Sequence, residues 1–314
     1  MSFRWVVRFR CALAAVVLAG IGCSQSVSGA EIRSIDMADE GTGRVVRTML
    51  LSGQIVNGDN DKLLQEIKGH FVKSIVLASP GGNVQEAMQI STTLNRYFIE
   101  AYPAAFTHEH NSTIDQDYVS KFCSSSDPKL EIWNVVQASD CECVSACALI
   151  ALTAPFREMT QHYTSLGLHR PYFDPSQFAK LDEGEARVAY RDLLKEVEEF
   201  LAENDVPQSM IETMMSANST EVHYLSYQEW LQFGWAKPFL EELLISRCDA
   251  FAPIYVTEGN LRSELAAIPS VASPERDKAL FRFLSFVSSK EYQRAWNCIV
   301  EEKEKIQLKA QGLP

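Results

Sequence analysis

The sequence predicts an α/β fold, and three observations predict it. Residues 44–55 are rich in β-forming side chains and end at the turn signal Asn57-Gly58-Asp59. Residues 61–70 then carry Leu63, Leu64 and Ile67 at helical spacing, and Ser74-Ile75-Val76-Leu77-Ala78 is a short continuous apolar run of the kind that forms a buried parallel strand. Strand, helix and strand in that order make a βαβ unit.

The later elements follow the same logic. Ser79-Pro80-Gly81-Gly82 closes the apolar run, and residues 84–98 place Val84, Ala87, Met88, Ile90, Leu94, Tyr97 and Phe98 on one stripe, so an amphipathic helix opens directly after the glycines. Residues 102–140 break the rhythm and read as a long insertion, a length usually tied to function or disorder. Residues 145–153 are small or apolar on every face, which predicts a buried helix with Ser145 at its start. Gly167-Leu168-His169-Arg170-Pro171 reads as a strand running into a turn, residues 184–203 as a long charged helix, and Val206-Pro207 as the start of another through Met215. Tyr224-Leu225-Ser226 suggests a short strand and residues 228–233 a closing helix. The expected organisation is a leader over 1–30, a main domain over 31–245 and a charged helical extension over 246–314.

The leader has a signal-peptide layout: Arg4, Arg8 and Arg10 without an acid, an apolar stretch from Cys11 to Ile21, then small residues ending in Ser28-Gly29-Ala30. That stretch is about half of the roughly 20 residues that span a bilayer, so cleavage near Ala30 and a periplasmic or secreted chain are expected. Cys23 as a lipid-modified N-terminus is the less favoured alternative, because Gly20-Ile21-Gly22 lacks the apolar residue three positions before it. Cleavage removes three arginines and no acid, leaving 26 basic against 41 acidic residues, a net charge of −15. Nucleic acid is excluded as a partner on that balance.

Six cysteines remain: Cys123, Cys141, Cys143, Cys147, Cys248 and Cys298. An even number in an exported chain reads as disulfides. Zinc on Cys141, Cys143 and Cys147 would need a second ligand pair at matching spacing, which the sequence lacks, so no metal is expected. Spacing does not fix the connectivity. Cys123 to Cys141 or to Cys143 would restrain the insertion, and Cys248 with Cys298 would tie the two ends of the extension.

Two features carry chemistry. Glycines at Ser79-Pro80-Gly81-Gly82 allow positive φ and close approach to backbone N–H groups, and the helix start behind them adds partial positive charge, a setting suited to an oxyanion hole. Ser145 stands at the head of a buried helix, and His169, 24 residues on, is placed to accept its proton. Each alone has a plainer reading: a strand-to-helix turn, and an N-cap serine. His108, Glu109 and His110 are expected to be a hydrated loop cluster, not a metal site. Trp230, Phe233 and Trp235 are expected in the core, and Arg157 and Arg170 in ion pairs, with binding of a substrate carboxylate as their alternative.

Together, the two features resemble the Clp protease proteolytic subunit and its crotonase-like relatives. The residues that carry the resemblance are 75–84, reading Ile-Val-Leu-Ala-Ser-Pro-Gly-Gly-Asn-Val, then Val144-Ser145-Ala146-Cys147-Ala148 and Leu168-His169-Arg170-Pro171, with Gly53-Gln54-Ile55 and Tyr224-Leu225-Ser226 as flanking landmarks. The resemblance covers about 48–237. It implies an α/β spiral of ββα units, a Ser145 nucleophile, a His169 base and an oxyanion hole built from backbone N–H groups of Gly81 or Gly82 and Ala146. It also implies a peptide or protein substrate and no cofactor, and leaves homo-oligomerisation open. An ATPase partner is not expected outside the cytoplasm. The family's third catalytic residue is an aspartate about fifty residues past the histidine. Here that stretch offers Glu221, or Asn218, or neither, the last leaving a Ser–His dyad. The long insertion and the extension after Cys248 depart from the family pattern. The expectation is an exported serine hydrolase, with a catalytically silent binding or assembly protein on the same fold as the rival. A thioester enzyme of the crotonase type is disfavoured by the serine–histidine pair.

Overall fold

The computed structural model describes residues 29–38, 45–103, 142–157, 166–173, 178–218, 221–226, 229, 233–248, 251–268 and 273–314. Residues 1–28 of the expected leader and residues 104–141, which hold most of the expected insertion with Cys123, Cys141 and the 108–110 cluster, lie outside them, as does Trp230. The described chain is a mixed α/β structure with two small mixed sheets.

The first sheet has the order β1 (Glu31–Ala38), β2 (Val45–Ser52), β3 (Val72–Ala78), β4 (Glu100–Pro103), with β1 antiparallel to β2 and the other pairs parallel. In β2 and β3 alternate residues on both faces are buried, Leu50 and Val76 as fully as Met49, Leu51, Ile75 and Leu77. That is why the two strands read as apolar runs with no alternation. Between β2 and β3 lies α1 (Asp59–Ile67), and after β3 lies α2 (Val84–Tyr97), capped by Asn83, whose side chain accepts from the Glu86 N–H.

Ala30 is only 2% exposed, and its N–H donates to the buried carboxylate of Asp59, which also accepts from the Val56 N–H and pairs with Lys62. A cut directly after Ala30 therefore removes one of the bonds that satisfy Asp59.

The second sheet has the order β5 (Cys143–Val144), β6 (Leu166–Leu168), β7 (His223–Tyr224), with β5 and β6 parallel and β7 antiparallel. It meets the first through backbone. The Val144 N–H donates to the Ser79 carbonyl, and an isolated parallel bridge pairs Ser79 with Cys143. Between β5 and β6 lies α3 (Ala146–Thr153), every residue of it buried. Its packing on α2 is fixed by a Ser91–Thr153 hydroxyl pair and by Asn95, whose Nδ2 donates to the Thr153 carbonyl at 2.8 Å. Then come α4 (Glu183–Glu203), opened by a reciprocal Asp182–Glu185 capping box, and α5 (Gln208–Ser216).

Four helices finish the chain: α6 (Pro238–Arg247), α7 (Phe251–Ala267), α8 (Pro274–Val287) and α9 (Lys290–Ala310). Helix α6 runs across the boundary expected at 245/246. With α9 it shares a separate apolar cluster of Phe156, Ala236, Leu240, Leu244, Ala295 and Ile299, which the Cys248–Cys298 disulfide closes. The far end of α9 docks on the first sheet. Gln311 accepts from the Val72 N–H and donates to the Val72 carbonyl, Gln307 donates to the Lys73 and Phe98 carbonyls, and Lys303 pairs with the buried Glu100 at 2.6 Å. Among the described residues no helix is long and apolar enough to cross a membrane.

Candidate active site

The site forms where the two sheets meet. Val144 ends β5, α3 starts at Ala146, and the whole reversal between them is made by Ser145, at φ 59° and ψ −124°. For a residue with a Cβ this region is sparsely populated and costs about 1–3 kcal/mol, a strain that persists only where the surroundings over-determine it. Those surroundings can be named. The Ser145 N–H donates to the Gly167 carbonyl at 3.1 Å, and Gly81, at φ 97°, lies so close that a Cβ there would be 2.5 Å from the Ser145 Cβ and 2.8 Å from the Val144 carbonyl oxygen. Only glycine fits. At Gly82, φ 140°, an added Cβ would fall 2.2 Å from the Ile55 carbonyl oxygen.

The Ser145 side chain makes no capping hydrogen bond to α3. Ser145 therefore occupies the N-cap position without the side-chain bond that the plainer reading of it expected. Two N–H groups beside it have no acceptor among the described residues, that of Gly82 and that of Ala146, which as the first residue of α3 stands outside the helical ladder. The Gly81 N–H is engaged, donating to Ser79 Oγ at 3.1 Å. Of the three backbone groups anticipated for an oxyanion hole, Gly82 and Ala146 are available and Gly81 acts by making room.

His169 follows β6 directly and is 8% exposed. With Val144 opposite Gly167 in the parallel ladder, Ser145 and His169 leave the carboxyl ends of adjacent strands, which run about 4.8 Å apart. No hydrogen bond joins Ser145 to His169 in this structure. Instead, His169 Nδ1 lies 3.0 Å from the Arg170 carbonyl oxygen. A carbonyl can only accept, so in this hydrogen bond Nδ1 is the donor and Nε2 is the ring nitrogen left to face a partner. Tyr172, 51% exposed, covers one side of the imidazole with ring centres 5.5 Å apart.

Glu221 and Asn218 are both exposed, and the Glu221 N–H donates to the Asn218 carbonyl. Among the described residues the hydrogen-bond acceptor at His169 Nδ1 is main chain, not Glu221 or Asn218. Sequence reasoning missed it because every residue carries a carbonyl, and no side chain marks the one that orients a ring.

The cysteines resolve further. Cys143 is bonded to Cys147, so the alternative linking it to Cys123 is corrected, and two of the three sulfurs considered for zinc are consumed. Cys248 is bonded to Cys298, as expected. Phe233 is buried in the main core and Trp235 packs on the second cluster.

Arg157 was expected in an ion pair or on a substrate carboxylate. It is instead 1% exposed, donates to the Ala154 and Phe233 carbonyls and stacks on the Phe233 ring at 3.9 Å. Burial pushes its pKa down, to about 9, and burial followed by the Arg157 charge pushes Lys237 down to about 8. Both are held by structural contacts, Arg157 by the Ala154 and Phe233 carbonyls and Lys237 by the Asn204 side chain. A cavity of about 650 Å³ lies elsewhere, between α1, α2 and α4, and its walls include Met88, Arg96, Glu196 and Phe200 but no residue of the Ser145 site.

Compared with protein-family models and with curated proteins, the chain matches none.

Proposed function

We propose that the chain is an exported serine hydrolase of the Clp protease and crotonase type, acting on peptide or ester bonds, with Ser145 as nucleophile and His169 as general base. One observation carries the reading: Ser145 alone makes a strand-to-helix reversal at positive φ, with no side-chain capping bond, beside the Gly82 and Ala146 N–H groups, which have no acceptor among the described residues. A strained residue held by its surroundings is the usual mark of a functional site. The two adjoining sheets are compatible with a spiral of ββα units, and the two disulfides support an oxidising compartment.

In this mechanism Ser145 Oγ attacks the substrate carbonyl carbon while His169 Nε2 takes its proton. The tetrahedral oxyanion is met by the Gly82 and Ala146 N–H groups, each such donor contributing about 3–4 kcal/mol to the transition state. The start of α3 adds its partial positive charge. His169 returns the proton to the leaving amine or alcohol, and water, activated by the same nitrogen, releases the acyl group. The Arg170 carbonyl keeps Nδ1 protonated and the ring oriented. It is uncharged, so it stabilises the imidazolium less than an aspartate would, and a modest rate is expected.

The rival, a binding or assembly protein without turnover, is favoured by the lack, among the described residues, of a Ser145–His169 hydrogen bond and of a carboxylate bonded to His169. Exposure of the purified protein to a fluorophosphonate probe separates the two. The hydrolase reading expects labelling that Ser145→Ala abolishes and hydrolysis of peptides or activated esters that falls with it; no labelling at a pH where His169 is neutral overturns it.

A further inference from the structure

We infer that the Cys143–Cys147 disulfide is a positioning device for the nucleophile, holding Ser145 in its positive-φ conformation. The inference rests on the reading of Ser145 given above and adds to it what keeps the serine in place.

The two cysteines stand two residues on either side of Ser145. Cys143 is in strand geometry, Cys147 is in the first turn of α3, and their Cα atoms are 5.1 Å apart. A strand rises about 3.3 Å per residue, so a segment that stayed extended across these five residues would separate its ends far beyond that distance. Two strand residues followed by two helical ones close to 5.1 Å only if the residue between them reverses the chain. The cross-link therefore acts on the φ and ψ of Ser145.

Its placement is not explained by global stability. Cross-links gain most by closing long loops, and this one spans four positions where Cys248–Cys298 spans fifty. Both cysteines are fully buried, which makes the bond a permanent clamp in the folded protein. The other restraints on Ser145, the hydrogen bond to Gly167 and the contact with Gly81, come from segments distant in sequence. The disulfide restrains the turn from within.

The test is the pair Cys143→Ser/Cys147→Ser, which keeps side-chain size and removes the bond, with Cys143→Ala/Cys147→Ala as a second variant. The carbon-13 shifts of Ser145 Cα and Cβ report its backbone conformation, and the rate of fluorophosphonate labelling reports its reactivity. The clamp predicts a folded variant in which the Ser145 shifts move to those of an ordinary helix N-cap. Labelling and kcat should fall about tenfold or more, with KM changed less than twofold, because misplacing a reacting group by about 1 Å costs on the order of 10²-fold. Unchanged Ser145 shifts in a folded variant overturn the inference. Failure of both variants to fold also overturns it, by assigning the bond to global stability. If the native protein is not labelled at all, the hydrolase reading falls and the Ser145 shifts alone decide on the clamp.

Discussion

The Ser145 turn and the C-terminal helices are each closed by a disulfide, and they use it differently. At the turn, the bond spans four positions around one residue in an unfavourable conformation, and the neighbours are backbone: Gly81, Gly82, the Ser79 and Gly167 carbonyls. In the extension, the bond spans fifty positions, the backbone is ordinary helix, and attachment to the first sheet is by the long side chains of Lys303, Gln307 and Gln311. In the chain-entropy account the long loop contributes about 4 kcal/mol and the short one about 2. The comparison teaches that one region spends its constraints on geometry and the other on stability.

The sharpest way to break that comparison is to add one carbon to each region. Gly81→Ala drives a Cβ into Ser145 and the Val144 carbonyl at positive φ, and labelling at Ser145 should fall on the order of 10²-fold. Gly312→Ala, also at positive φ but with nothing within 4 Å of the added carbon, should cost about 1 kcal/mol and leave labelling unchanged. Equal effects on labelling would erase the distinction. Removing Cys248–Cys298 by double alanine substitution should cost about 4 kcal/mol in denaturant unfolding without altering labelling of the folded protein. Lys303→Met leaves the buried Glu100 without its cation, and should cost about 3 kcal/mol, again with the site intact. A loss below 1 kcal/mol would mean that α9 docks through its glutamines and not through this pair.

The smallest effect is one of pH. Burial holds Lys237 at about 8 in the fold, below its ordinary 10.5, so between those values the unfolded chain binds more protons and stability rises with pH. Urea unfolding between pH 8 and 9.5 should show the native protein gaining stability relative to Lys237→Met. A flat difference would contradict the assignment of Lys237 as a buried cation.

Much of this was legible in the sequence because the core elements carry their periodicity openly. The β2–α1–β3 unit, α2 after the glycines and the buried α3 follow from apolar runs and helical spacing. Strand β1 was missed because, as an edge strand, its apolar residues are interrupted by Glu31, Arg33, Ser34 and Asp36 and form no continuous run. Strand β4 was missed because four residues ending in Pro103 are too few to show a period. At the site, Ser145 and His169 are side chains with chemistry and could be picked out, and Gly81 and Gly82 announced an unusual turn. The pairing of Cys143 with Cys147 could not be read, since spacing does not set connectivity. Nor could the Arg170 carbonyl at Nδ1, since a main-chain acceptor has no letter of its own.

The most direct test of the account is a crystal structure of the protein after reaction with a fluorophosphonate. The account predicts a covalent bond at Ser145 Oγ, Ser145 still at positive φ, and a phosphonyl oxygen about 2.7–3.1 Å from the Gly82 and Ala146 nitrogens. A phosphonyl group on another residue, or one on Ser145 whose oxygen points away from both nitrogens, would contradict it.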